Sequence, residues 1–263
     1  MSVPSFYKRV RPLISRPGGK SRMLKKLMPI INSTPHQLYC EPFCGGAAVL
    51  LAREPGKREI INDIDGDLIN LYRQVKHHSR EVIRTLRLLP ESRALFYEQQ
   101  AAITDQHSTE IQRAAAWAYV NFYCFGADNR TFGTKRVGFS TRHFLNRKLV
   151  AFSKRIDRVT IEHIDWDRCV ALYDCPGALF FLDPPYTSPG KVGAYEGWQT
   201  ADVEHLQDVL SRIKGKYIVT LNDCPANREI FKGCDIHALS TSAAMRQHSR
   251  PGERFKEMII VSK

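Results

Sequence analysis

Short β-type runs that alternate with helical patterns predict an α/β protein. Its sheet is expected to be seven-stranded, mostly parallel and Rossmann-like, with an antiparallel C-terminal hairpin and a mainly helical insertion. Three observations carry this. Candidate strands lie at 37–41, 58–62, 159–164, 178–182, 216–221, 234–239 and 256–262. Helical patterns at 46–53, 66–88, 91–104, 110–124, 201–214 and 226–232 separate most of them. The last two strands follow one another with no helix between, so they can pair antiparallel.

Each element has a local reason. The strand at 37–41 runs into Pro42 and the pair Gly45-Gly46, where the backbone can turn tightly into a helix. The strand at 58–62 is followed by Asp65, a good cap for the helix beginning at Gly66. Residues 76–156 break the alternation: they are helical, then glycine-punctuated and basic, and read as an insertion between 1–75 and 157–263. The run 178–182 is wholly apolar, as a buried parallel strand should be. Thr200 with Asp202 and Glu204 marks a helix start, and Gly215 a matching stop.

Composition bounds the function. The chain has 263 residues, 43% apolar and 25% charged, which excludes a disordered, collagen-like or coiled-coil chain. No apolar run approaches the roughly 18 residues of a membrane span, and the N-terminus lacks a signal-peptide core, so a cytoplasmic protein with no membrane partner is expected. Seven scattered cysteines without zinc-type spacing predict free thiols and no metal. The net charge of +12 is clustered. Residues 1–26 hold eight basic and no acidic residues; residues 130–158 hold nine basic residues and only Asp157. These two stretches carry +16, so the remainder is acidic by four. Such clustering is the footprint of a polyanion partner.

Four segments carry chemistry. The turn Glu41, Pro42, Phe43, Cys44, Gly45, Gly46 sits where parallel sheets bind ligands, and it lacks the dinucleotide glycine pattern. Asp63 ends the next strand 18 positions after Gly45, where a carboxylate can accept two hydrogen bonds from a ribose diol. Asp183-Pro184-Pro185-Tyr186 ends the apolar strand. There a carboxylate beside a free carbonyl suits a planar amino group, and the tyrosine offers a face for a base. Gly18-Gly19-Lys20 in the basic N-terminal arm can wrap a ligand, without the phosphate-loop pattern.

In this order the segments resemble the DNA adenine-N6 methyltransferase family, the Dam-like or D12 class of bacteria and phages. The resemblance covers most of the chain, including Lys216 to Pro225, which look like the family's post-catalytic strand and loop; it is weakest over 76–156. It implies a seven-stranded S-adenosylmethionine-dependent methyltransferase sheet, and S-adenosyl-L-methionine as cofactor. Arg16, Gly18, Gly19 and Lys20 would border that cofactor. Glu41, Pro42, Phe43, Gly45 and Gly46 would hold its methionine part. Asp63, with Ile64 beside it, would hold the ribose. Asp183 to Tyr186 would hold the target adenine, with Asp183 also beside the cofactor. Arg16 and Pro17 depart from the family's Trp and Ala at these positions.

The implied activity is site-specific methylation of adenine N6 in double-stranded DNA after base flipping. Asn129, Arg130, Thr131, Lys135, Arg136, Arg142, Arg147 and Lys148 would contact the DNA, and a cognate restriction endonuclease is a candidate partner. Methylation of another amino group, cytosine N4 or a protein glutamine amide, is the nearest rival, although cytosine enzymes favour Ser-Pro-Pro-Tyr and glutamine enzymes Asn-Pro-Pro-Tyr; RNA as the substrate stays open. A non-catalytic nucleic-acid-binding protein on the same fold is the other.

Overall fold

The computed structural model describes residues 9–16, 18–125, 129–133, 141–186, 198–242 and 254–263. Pro17, Lys135 and Arg136 lie outside them, and the Arg142 side chain is likewise not described. One seven-stranded sheet forms in the order β3-β2-β1-β4-β5-β7-β6. The strands are β1 (Leu38–Glu41), β2 (Arg58–Asn62), β3 (Thr160–Glu162), β4 (Ala178–Leu182), β5 (Lys216–Asn222), β6 (Asp235–Ser242) and β7 (Arg254–Val261). β1 to β5 pair parallel, while β7 runs antiparallel to both β5 and β6. The expected sheet and its reversed C-terminal pair are therefore present.

Alternation along each strand divides the core. Tyr39, Leu179, Phe181 and Ile218 pack on one face with α1 (Leu24–Ser33), α2 (Ala48–Ala52) and α3 (Gly66–His77). Leu38, Cys40, Phe180, Leu182 and Val219 pack on the other with α8 (Trp166–Tyr173) and α9 (Thr200–Leu210). The first core continues through Val82 of α4 (Ser79–Arg87), Phe96 of α5 (Arg93–Thr104), Trp117 of α6 (Glu110–Tyr123) and Phe152 of α7 (Thr141–Ile156). The helices of the inserted stretch thus share one core with the sheet. No helix among the described residues is long and apolar enough to cross a membrane.

Two local expectations differ in detail. The pattern at 66–88 is two helices, because His78 leaves helical dihedrals (φ −129°, ψ 37°) and α4 starts at Ser79. α9 starts at Thr200, as expected, and Gln199 caps it in a reciprocal box with Asp202. Gly215 does not stop α9, which ends at Leu210. A Cβ at Gly215 would meet the Ala178 carbonyl oxygen at 2.8 Å, so the glycine is required by close approach to β4. α10 (Pro225–Ile230) completes the helices that flank the sheet.

Candidate active site

The site lies along the carboxyl edge of β1, β2, β4 and β5. After β1 the chain turns sharply: Gly45 has φ +45° and Ala47 φ +51°, both left-handed. The turn is pinned from β2 and α3. Cys44 N–H donates to the Asn62 carbonyl (2.8 Å), Gly45 N–H to Asp63 Oδ2 (2.8 Å), and the Tyr72 hydroxyl to the Gly45 carbonyl (2.6 Å). Asn62 Nδ2 donates to the Pro42 carbonyl (2.9 Å). A Cβ built at Gly45 or at Gly18 would meet nothing within 4 Å, so the backbone at both places faces open space.

Glu41 is buried beneath this turn. Its Oε1 accepts from the Tyr39 hydroxyl (2.9 Å) and from Leu50 N–H (2.6 Å), which satisfies an orphan donor in the first turn of α2. Burial pushes its pKa up to about 7, against these two bonds. The native state therefore binds a proton that an unfolded chain, with its ordinary value of 4.5, has released. Stability from this group is present at low pH and is lost as pH rises through about 7. Relative to Glu41→Gln, the wild type is expected to lose about 2.5 kcal/mol between about pH 5 and pH 8. Urea unfolding of both proteins across that range measures it; parallel curves would contradict the assignment.

Asp63 follows β2. Its Oδ1 accepts from Asp65 N–H (3.0 Å) as Oδ2 does from Gly45, which leaves each oxygen a further lone pair for a diol. Burial raises its carboxyl above the ordinary range, and Arg16 opposes this. Asp65 is the cap of α3, accepting from Asp67 and Leu68 N–H, as expected. Arg16 is engaged by Asp65 through an ion pair and lies over the Trp117 ring, 5.7 Å from its centroid. Ile64 is 59% exposed at the same edge.

At the end of β4, Asp183 gathers the polar groups. Its Oδ1 meets Lys20 Nζ at 2.6 Å and accepts from Thr220 Oγ1 at 2.8 Å. Lys20 also donates to the Gly18 carbonyl (2.9 Å) and stands 4.7 Å from the Tyr186 ring centroid. The Tyr186 hydroxyl donates to Glu257 Oε1 (2.6 Å). Burial drives the Asp183 carboxyl upward, and the Lys20 ammonium opposes this and favours the ionised form.

Phe43, Trp166 and Trp198 form an aromatic group beside the glycine turn, with centroids 5.4 to 5.9 Å apart. The structure brings Lys20, Asp63, Gly45 and Asp183 to one edge. Trp166, Trp198, Thr220 and Glu257 belong to the same edge and were not read from the sequence. For Trp166 a signal existed: it follows Asp165, a cap-type residue, directly after the third strand.

The N-terminal arm is also tied to the inserted stretch. Asn121 of α6 accepts from Ser15 N–H (3.0 Å), and its Nδ2 donates to Ser15 O (3.0 Å) and to Asn129 Oδ1 (3.0 Å). Beyond it, Arg130 and Thr131 are exposed, as is Phe125 at 63%, while Asn129 is half-buried with φ 60°. Arg147 is exposed on α7 and Lys148 half-buried.

A sheet of this order, with a glycine turn after β1, an acid after β2 and Asp-Pro-Pro-Tyr after β4, defines an S-adenosylmethionine-dependent methyltransferase acting on an amino group. The family described as D12 class N6 adenine-specific DNA methyltransferase matches residues 17–245, and the chain belongs to it. Among relatives, it is 23% identical to the type II methyltransferase M1.LlaDCHI of Lactococcus lactis subsp. cremoris, covering 96% of this chain and 95% of that one. It is 22% identical to the DNA adenine methylase of Escherichia coli K12 (97% and 96% covered). It is 27% identical to the type II methyltransferase M.MjaIII of Methanocaldococcus jannaschii (73% and 75% covered). The activity is methylation of adenine N6 in DNA, with S-adenosylmethionine as cofactor. The open backbone at Gly18 and Gly45, the spare lone pairs of Asp63 and the aromatic group suit that cofactor's methionine, ribose and adenine parts.

Proposed function

We propose that the chain methylates an adenine flipped out of double-stranded DNA, and that Asp183, Pro184, Pro185 and Tyr186 receive the base. One observation carries this: a carboxyl group held by Lys20 and Thr220 stands at the carboxyl edge of the sheet, with the Tyr186 ring against the same Lys20. The adenine amino group is a poor nucleophile because its lone pair is delocalised into the ring. Hydrogen bonds from its two hydrogens to Asp183 Oδ2 and the Pro184 carbonyl favour a pyramidal nitrogen and free the lone pair. Oδ1 is already taken by Lys20 and Thr220, so the carboxylate is oriented before the base arrives. Asp183 also stabilises the positive charge that develops on the nitrogen. S-adenosylmethionine supplies the electrophilic methyl. A base inside a duplex is out of reach of these groups, so it leaves the stack and rests on Tyr186.

Gly18, Gly19, Lys20, Glu41 to Phe43, Gly45, Gly46, Asp63 and Ile64 are assigned to the cofactor. Phe43, Trp166 and Trp198 are assigned to its adenine ring. Arg16 acts as a brace between the N-terminal arm and α3. Residues 1–75 and 157–263 form the catalytic part and 76–156 the target-recognition part. Arg130, Arg147 and Lys148 are assigned to the DNA together with Lys135, Arg136, Arg142, Asn129 and Thr131, and the exposed Phe125 is suited to wedge between base steps. The chain works in the cytoplasm, and a cognate restriction endonuclease is its proposed partner.

Transfer of labelled methyl from S-adenosylmethionine to a duplex, followed by sequencing for modified adenines, tests the reading. Label on single strands alone, or on RNA, would overturn it. The salt dependence of duplex binding tests the DNA path. Arg130→Ala with Arg147→Ala should reduce the slope of log K against log salt by about 1 per residue. An unchanged slope would remove both from the interface.

A further inference from the structure

β7 carries a buried acid that the reaction outlined above leaves without a task. Because β7 runs against the parallel strands, its first residues lie where those strands end. Glu257 is in register with Asn222, the last residue of β5, and so stands at the edge that holds Asp183. It is only 8% exposed, and the next three residues, Met258, Ile259 and Ile260, are core. A carboxylate in such a strand is costly unless its bonds are made. Its Oε1 accepts the Tyr186 hydroxyl at 2.6 Å, a short charge-assisted bond.

Tyr186 is thereby gripped twice, on its face by Lys20 and at its hydroxyl by Glu257. The prolines before it fix backbone φ, but the side chain keeps two rotatable bonds. A bond at the far end of the ring settles both. The carboxylate also draws on the phenol proton, which enriches the ring face in electron density. That favours a cationic group over the face, and positive charge is what the amino nitrogen acquires as the methyl arrives.

We propose that Glu257 is a positioning residue for the target adenine: through the Tyr186 hydroxyl it fixes the plane on which the flipped base stacks beside Asp183. This rests on the reading of Asp183 to Tyr186 as the adenine site. The test uses Glu257→Gln, Tyr186→Phe, the double variant and Asp183→Asn, in the full chain. Steady-state methyl transfer to a duplex gives kcat and KM. Fluorescence of 2-aminopurine at the target position reports base stacking. Calorimetry with S-adenosylmethionine and thermal melting report the fold.

Glu257→Gln is expected to lower kcat about ten-fold or more, with cofactor affinity within about two-fold of wild type. The 2-aminopurine signal should rise, because a loosened stack quenches less. The double variant should be no worse than the worse single variant, since both changes break one bond. Additive losses, or a wild-type kcat and signal in Glu257→Gln, would overturn the proposal. If Glu257→Gln melts early, Tyr186→Phe decides, because it keeps the ring and removes only the hydroxyl; an unchanged signal there also overturns it. Full turnover in Asp183→Asn would bring down the adenine-site reading and the proposal with it. An inactive Asp183→Asn beside a wild-type Glu257→Gln would bring down the proposal alone.

Discussion

Asp183→Asn is expected to slow methyl transfer by about a hundred- to a thousand-fold, the scale on which a preorganised electrostatic group acts. Binding of S-adenosylmethionine and of duplex DNA should stay within a few-fold of wild type. The substitution keeps size and shape but removes the charge and turns one acceptor into a donor. Asp183 Oδ1 holds two donors, Lys20 Nζ at 2.6 Å and Thr220 Oγ1 at 2.8 Å. An amide oriented to keep those bonds presents its NH2 to the incoming amino group, so donor faces donor. An amide turned the other way loses Lys20 and Thr220. Either way the nitrogen lone pair stays in the adenine ring. Single-turnover kinetics with the duplex prebound separates this from a binding defect. A rate within a few-fold of wild type would mean that the carboxylate plays no part in the chemical step.

What the sequence disclosed about this site follows the range of the contacts involved. The glycine turn, the Asp65 cap and the Asp-Pro-Pro-Tyr exit are made by neighbours in the chain, so their residue types announce them. Thr220 and Glu257 reach the site through strand pairing: Thr220 lies 37 residues from Asp183, and Glu257 lies 71 from Tyr186. Neither has a local motif. Glu257 is placed by the reversal of β7, which was legible; that the reversal would deliver an acid to the catalytic edge was not. Trp198 and Phe43 come from loops 155 positions apart and meet only because α8 and α9 share one face of the sheet.

Helix α7 is a different case. Leu149, Phe152 and Ile156 are all buried and spaced three and four apart, the helical signature. In the sequence, 76–156 reads as an insertion, helical and then glycine-punctuated and basic, with no separate helix read over this stretch. The break at His78 had no signal of the usual kind, since neither glycine nor proline stands there. Charge suggests where DNA is proposed to lie and does not by itself name the reaction. The N-terminal arm and the inserted stretch are far apart in sequence and are tied at Asn121.

Glu59→Ala should be the most destabilising single change, lowering the unfolding free energy by about 3–5 kcal/mol, out of the roughly 5–15 kcal/mol a folded protein has. Glu59 lies on β2, buried between two arginines that are buried too. Its Oε2 accepts from Arg155 Nη1 (2.6 Å), and its Oε1 from Arg155 Nη2 (2.9 Å) and Arg53 Nη1 (3.1 Å). Arg53 lies 3.6 Å from the Tyr39 ring centroid and contacts His36 Nε2 at 2.5 Å. Arg155, in the last turn of α7, also donates to the Leu50 carbonyl at 2.8 Å. One carboxylate therefore joins α2, β2 and α7, and alanine leaves two guanidinium groups in the core without a counter-charge. The loss is a charge effect rather than a cavity effect, and a second variant separates the two. Replacing all three residues together (Arg53→Met, Glu59→Leu, Arg155→Met) should recover most of the stability, because no buried charge remains to be compensated. Urea unfolding of the two variants decides the matter: a triple variant weaker than Glu59→Ala would mean that the ion pairs are net favourable in themselves. Since α7 carries Arg147 and Lys148, Glu59→Ala should also weaken duplex binding under conditions where the sheet is still folded.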